Sequence, residues 1–271
     1  MDPRLQRRVQ RYGWDKAAAY YDQYWADQLE PAQDLVLGMA RIREGEWVLD
    51  VACGTGLVTF RAAESTGPRG RVVATDISDA MVDRVKAIAA ERGMPQVTAE
   101  RCDAEEIGQS DESFDVVLCA LGLMYVADPL RALEQMHRVL RPGGRVAVAV
   151  WGARSQCGWA EVFPIVERRV ASDVCPLFFQ LGGGDALQYA LTRSSYSDVD
   201  VVRIVTTLSF DSSESACGAA FAGGPVALPY SRFDAPTRDA VHAEYLESLA
   251  AYRRGDGYDV PGEFVIACAT K

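Results

Sequence analysis

Between residues 45 and 152 the chain alternates short apolar runs with longer stretches of helical spacing. Trp47-Val48-Leu49-Asp50-Val51-Ala52, Arg71 to Asp76, Val97 to Arg101, Phe114 to Cys119 and Arg145 to Trp151 read as strands. Most are unbroken runs of Val, Leu and Ala, the pattern of parallel strands covered on both faces. Between them, Leu57 to Ser65 reads as a helix ended by Gly67-Pro68-Arg69-Gly70. Asp79 to Arg92 puts Met81, Val82, Val85, Ile88 and Ala89 on one face and stops at Gly93. A third helix starts at Pro129 behind its cap, Asp128, and is expected to run to Arg141 before Pro142-Gly143-Gly144. Strands and helices alternating in this way predict an α/β fold with helices on both faces of a parallel sheet.

The flanks are less regular. Residues 1–44 read as a helical cap rich in aromatics, 45–152 as a core, and 153–271 as lid segments plus two late strands, Val199 to Phe210 and Glu263 to Cys268. A helix over Pro236 to Arg253 carries Val241, Tyr245, Leu249 and Tyr252 on one stripe, and the last strand comes after a turn at Gly255-Asp256-Gly257. The late strands are expected to complete the same sheet, within a single domain spanning 1–271.

With 28 basic and 38 acidic residues the net charge is −10. No positive field is available for general binding to nucleic acid or an anionic membrane. The longest near-continuous apolar run, Val116 to Ala127, is too short for a helical span, which needs about 20 residues. The charged N-terminus has no apolar stretch behind it and predicts no secretory signal. Seven cysteines without a Cys-x-x-Cys pair predict free thiols in a reducing cytoplasm and no metal site.

The chemistry concentrates at Val48 to Gly56. This stretch leaves a strand, makes a turn rich in glycine and enters a helix. Gly54 and Gly56 suit positive φ and close approach of a ligand to the backbone. Asp76 ends the next strand 20 residues after Gly56, where a carboxylate takes both hydroxyls of a ribose. A dinucleotide turn of the type G-x-G-x-x-G/A would need a small residue where Thr59 stands, and Asp50 would repel a pyrophosphate. A ligand with a ribose and a cation but no phosphate fits better; S-adenosylmethionine is one.

With these residues the chain resembles the class I S-adenosylmethionine-dependent methyltransferases, and most of all the branch of the ubiquinone/menaquinone-biosynthesis C-methyltransferases. The matching stretches are Val48 to Gly56, Val72 to Ser78, Cys102 to Glu105, Ser113-Phe114-Asp115 and Arg138 to Arg145, in order across about residues 36–152. The resemblance implies a Rossmann-like sheet of seven strands, mostly parallel, with an antiparallel last strand. It implies that Asp50, Ala52, Gly54, Thr55 and Gly56 hold the methionine end of the cofactor. Asp76 would take the ribose, Ile77 and Met81 would lie against the adenine, and Asp103 with Ala104 would meet its amino group. The backbone at Cys119 and Ala120 would meet the ammonium, with Tyr20 or Tyr21 closing over it. Two positions depart from the family: Ala52, where many relatives have glycine, and Ser195-Tyr196, where Gly-Phe is common. Alanine is expected to fit with a negative φ.

No Asn/Asp-Pro-Pro-Tyr/Phe signature comes after the fourth strand; Cys119 to Met124 forms an apolar wall instead. The acceptor is therefore expected to be a small, partly apolar molecule methylated at O, C or N, handled by a monomer or homodimer. A cofactor-binding assembly protein without catalysis is the alternative. Tyr20, Trp25, Met124 and Phe221 are the candidate acceptor pocket, and His242 is the candidate base. Arg4, Arg7, Arg8 and Arg11 read as a solvated helix face, and the cysteines as inert small hydrophobes.

Overall fold

A computed structural model describes residues 3–170 and 177–271. Met1 and Asp2, and Cys175 among the seven cysteines, lie outside them. Two helices lead, α1 (Pro3–Ala17) and α2 (Tyr21–Ala40), and then the regular alternation begins. Strands β1 (Trp47–Val51), β2 (Arg71–Asp76), β3 (Val97–Arg101) and β4 (Phe114–Ala120) are separated by α3 (Leu57–Thr66) and α4 (Asp79–Glu91). Helix α5 (Pro129–Val139) runs directly into β5 (Leu140–Trp151). After it come α6 (Val162–Glu167), α7 (Ala186–Arg193), β6 (Ser197–Phe210), α8 (Ser213–Cys217) and a π-helical turn over Gly218–Ala222. Helices α9 (Ala227–Tyr230) and α10 (Ala235–Ser248), the two-residue β7 (Arg253–Arg254) and β8 (Gly257–Thr270) complete the chain.

The sheet order is β3-β2-β1-β4-β5-β8-β6, with β7 folded back on β8. Strands β1 to β5 pair in parallel, and β8 runs antiparallel between β5 and β6. This is the expected Rossmann-like sheet of seven strands, extended by the short β7. Val48, Leu49, Val116, Val117 and Leu118 are fully buried, as the unbroken apolar runs require. Each such side chain contributes about 1.5–3 kcal/mol.

Boundaries moved where packing overrode local pattern. The helix expected to reach Arg141 ends at Val139, because Arg141 Nη1 pairs with Asp115 Oδ1 (2.5 Å) and its backbone joins β5. The helix expected to reach Arg253 ends at Ser248, since Arg253 already pairs with Tyr258 in the β7–β8 hairpin. Ser195 takes φ +69°, so a serine adopts the left-handed turn that glycine usually serves before β6.

Two salt-bridged arginines correct the reading of α1 as a solvated face. Arg7 pairs with Asp103 (Nε to Oδ2, 3.0 Å) and with the buried Glu105; Arg11 pairs with Asp79 (2.5 Å). Asp15 accepts from the Ser78 hydroxyl (2.6 Å) and the Ala80 N–H (3.2 Å) at the start of α4. Thus α1 is clamped across the carboxyl ends of the strands by charges from the loops below it.

Candidate active site

The carboxyl end of β1 makes the turn Ala52–Gly56. Gly54 has φ +56°, and Gly56 has φ +94° at the start of α3, where any β-carbon would crowd the Phe60 ring at 2.6 Å. Ala52 is also left-handed, at φ +56°. The expectation of a negative φ there is overturned: the alanine occupies a conformation costing about 1–2 kcal/mol for a residue with a β-carbon. Leu121, just past β4, is left-handed too (φ +64°). Gly122 beside it could not carry a β-carbon without overlapping that of Ala52.

Two buried carboxylates face each other across this turn. Asp50 accepts from the Thr59 hydroxyl (2.6 Å). Asp76 accepts from the Gly54 N–H and the Ser78 N–H, each at 2.9 Å. Burial pushes the Asp50 carboxyl up to about 7; the Thr59 bond opposes this and the Asp76 charge adds to it. Burial likewise raises Asp76 to about 6, against the bonds from Ser78 and Gly54. Among the described residues, neither carboxylate has a cationic partner that would offset its desolvation.

A cleft of about 940 Å³ opens over these acids. Asp50, Ala52, Gly54, Asp76, Ile77, Met81, Asp103, Ala104, Ala120 and Tyr21 all line it. Thr55, Gly56 and Cys119 do not: Thr55 turns away to donate to Asp22 (2.5 Å), Gly56 starts α3, and Cys119 is buried beneath the floor. Asp103 uses one oxygen for the Glu105 N–H (3.0 Å) and turns the other to Arg7. Sequence reasoning missed Arg7, Gln10, Trp14, Leu121 and Tyr125 in the lining. For Trp14 the signal was present in the aromatic N-terminus; for Arg7 it was a charge with no visible partner.

A second hollow of about 290 Å³ adjoins the cleft and shares Trp14, Tyr21, Leu121 and Tyr125 with it. Trp25 and Met124 line this hollow as expected, joined by Trp151, Trp159, Gly224 and Pro225. Tyr20 is instead exposed, standing just ahead of α2. Phe221 is fully buried in a separate cluster, with Tyr230, His242 and Tyr245 rings at 5.1–5.5 Å. His242 accompanies it, bonded through Nε2 to the Tyr230 hydroxyl (2.9 Å), and burial lowers its basicity. The structure thus sets Phe221 and His242 into the packing of α8–α10, away from the lining of both cavities.

Six cysteines are free thiols, and burial raises Cys119 to about 12 and Cys157 to about 11, disfavouring the thiolate. Among the described residues no group of three or more His, Cys, Asp or Glu is placed to hold a metal ion, and no helix is long and apolar enough to cross a membrane.

A methyltransferase-domain family matches residues 42–164, the β1–β5 core together with the first residues of α6. Nocamycin O-methyltransferase of Saccharothrix syringae is 28% identical over 256 residues, covering 89% of this chain and 91% of that protein. Demethylmenaquinone methyltransferase of Lactobacillus johnsonii is 33% identical over 177 residues, 63% of this chain and 69% of that one. The chain belongs to the class I S-adenosylmethionine-dependent methyltransferases. The fold agrees: phosphoethanolamine N-methyltransferase 2 of Haemonchus contortus, solved with S-adenosyl-L-methionine, superposes with a TM-score of 0.63 at 16% identity, over 95% of this chain and 57% of that one.

The residues present fit this methyltransferase's cofactor. An ammonium and a sulfonium supply the positive charge that the desolvated Asp50 and Asp76 lack. Glycine at position 54 leaves the turn open to close approach, and Ile77 with the buried Met81 offers an apolar wall for a flat base.

Proposed function

We propose that this methyltransferase transfers the methyl group to O, C or N of a small, partly apolar molecule seated in the aromatic hollow. The observation that carries this reading is the wall of Trp14, Tyr21, Leu121 and Tyr125, common to hollow and cleft. Asp50 and the Ala52–Gly56 turn would hold the methionine end, with the backbone at Cys119–Ala120 at its ammonium and Tyr21 above. Asp76 would take the ribose, Ile77 and Met81 the adenine faces, and Asp103 with Ala104 the adenine edge. The names of the two relatives, for nocamycin and demethylmenaquinone, support an acceptor that is a small molecule.

When bound, S-adenosylmethionine supplies a methyl group already activated on a sulfonium. The chain's own share is then positioning, which can supply about 7–11 kcal/mol of the barrier. Exclusion of water adds to it, because the sulfonium charge disperses as the methyl leaves. The hollow's lining holds no carboxylate or imidazole among the described residues, so no side chain there is assigned as a general base. The free thiols suit a reducing cytoplasm, where we place the enzyme as a monomer or homodimer.

The test is turnover. Purified protein with S-adenosylmethionine and a panel of small acceptors should release S-adenosylhomocysteine with a product heavier by one methyl, seen by mass spectrometry. Tight cofactor binding with no acceptor ever methylated would sink the catalytic reading.

A further inference from the structure

Resting on that reading, the lining of the hollow also narrows the acceptor's chemistry. Its walls are aromatic. The indoles of Trp25, Trp151 and Trp159 meet edge to face, at 4.9–6.1 Å between centroids and 61–71° between planes. Met124 backs them, its sulfur accepting from the Trp151 backbone N–H (3.5 Å). Planar rings gain most from such edges and faces. Among the described residues no lining side chain carries a formal charge, so a charged acceptor would lose its water with nothing to replace it.

One polar group in this lining is unmet. Trp25 Nε1 donates to the Ala219 carbonyl (3.1 Å). Trp159 Nε1 is buried, in a side chain only 2% exposed, and finds no acceptor among the described residues. An orphaned buried N–H is costly and rarely tolerated in a finished core. An ordered water is a poor substitute, because it needs two to four polar partners and the surroundings are apolar.

We propose that Trp159 Nε1 is an acceptor-recognition donor, and that the acceptor is an uncharged planar ring carrying a carbonyl or hydroxyl oxygen that takes this hydrogen bond. A quaternary ammonium, the other common guest of an aromatic cage, would meet the positive end of the indole N–H and is disfavoured.

The probes are α-tetralone and tetralin, which share a fused-ring skeleton and differ at a carbonyl, with tetramethylammonium as the cationic control. Wild-type protein loaded with S-adenosylhomocysteine should prefer α-tetralone, and Trp159→Phe should cut that preference roughly fivefold while cofactor affinity stays unchanged. An equal preference in Trp159→Phe, or tighter binding of tetramethylammonium, would overturn the proposal. If that variant fails to fold, ¹⁵N-indole spectra of the wild type decide. Of the five tryptophans, one Nε1–H, assigned to Trp159 by Phe replacement of the other four, should shift with α-tetralone and hold still with tetralin. A Trp159 resonance indifferent to both probes contradicts the proposal. Competition separates the two readings. If methylated acceptors never compete with α-tetralone, the seat of the acceptor itself is wrong; if they compete but Trp159→Phe has no effect, only the oxygen contact falls.

Discussion

The cofactor cleft and the aromatic hollow touch along one wall, yet they are built differently. The cleft is made by the carboxyl ends of successive strands, so its acids sit at fixed steps along the chain: Asp50 lies near the end of β1, Asp76 ends β2, and Asp103 stands just past β3. The hollow is assembled from α2, the end of β5, the segment around Trp159 and the loop at Gly224-Pro225, pieces far apart in sequence. The cleft stores unbalanced charge; the hollow stores aromatic surface and one unmet N–H. A site recurring with the alternation of strands can serve one cofactor across a family, whereas a site made of packed insertions is free to change its guest.

The largest effect that would break this division is expected at Asp76. Asp76→Ala removes the acceptor for two ligand hydroxyls and for the Gly54 and Ser78 N–H groups. At about 1.5–3 kcal/mol for each bond to a charged group, cofactor affinity should fall on the order of 100-fold or more. The acceptor probes should bind the variant as they bind the wild type. Calorimetry with S-adenosylhomocysteine reads the first and probe titration the second; near-normal cofactor affinity would remove Asp76 from the site.

A smaller effect comes from pH. Asp50 and Asp76 are raised to about 7 and about 6, above the ordinary Asp value near 3.9. Their contribution to folding of the ligand-free protein is therefore complete below the unfolded value and is lost as pH rises through about 6 to about 7. Cofactor binding has the opposite dependence, since its cations favour the ionised acids. Affinity should drop up to about tenfold for each pH unit below about 6 and level off above about 8. Melting curves with and without S-adenosylhomocysteine should therefore diverge as pH rises. A ligand-induced shift that stays constant from about pH 5 to about pH 8 would show that these acids do not meet the cations.

The same contrast decides what was legible in the sequence. Asp50, Gly54, Asp76 and Asp103 could be read because strand ends, turn glycines and helix caps leave local marks. The left-handed Ala52 could not, since that φ is imposed by the turn between β1 and α3 and not by the alanine. Phe221 and His242 looked like lid residues because glycines flank the one and an exposed helix face the other. Their rings instead pack on Tyr230 and Tyr245, a tertiary choice without a sequence period. Trp159 left no mark either: its place in the hollow depends on Trp25 and Trp151, and Trp25 is far from it in the chain.

Arg7 tests how tightly the cap seals the cleft. Its guanidinium bridges Asp103 and Glu105, but its side chain is 31% exposed, so solvent screens part of the interaction. Arg7→Ala should speed cofactor release by roughly fivefold, corresponding to about 1 kcal/mol. Stopped-flow displacement of S-adenosylhomocysteine would measure it. An unchanged off-rate would mean that α1 is held closed by Arg11 and Asp15 alone.

The smallest effect concerns Ala52, where the two regions press on each other through Gly122. Ala52→Gly should release about 1–2 kcal/mol of left-handed strain. Glycine also loosens the unfolded chain, which takes back about 0.4–1 kcal/mol. The net gain is then about 0.5–1 kcal/mol, a rise in melting temperature of a few degrees at most. Gly122→Ala should do the reverse, because its β-carbon would overlap that of Ala52. In the Ala52→Gly background most of that penalty should vanish, since the overlapping carbon is gone. A double-mutant cycle by thermal or denaturant unfolding measures this coupling. Strict additivity of the two substitutions would mean that Ala52 and Gly122 do not touch, and that the left-handed alanine is held by the β1 turn without help from β4.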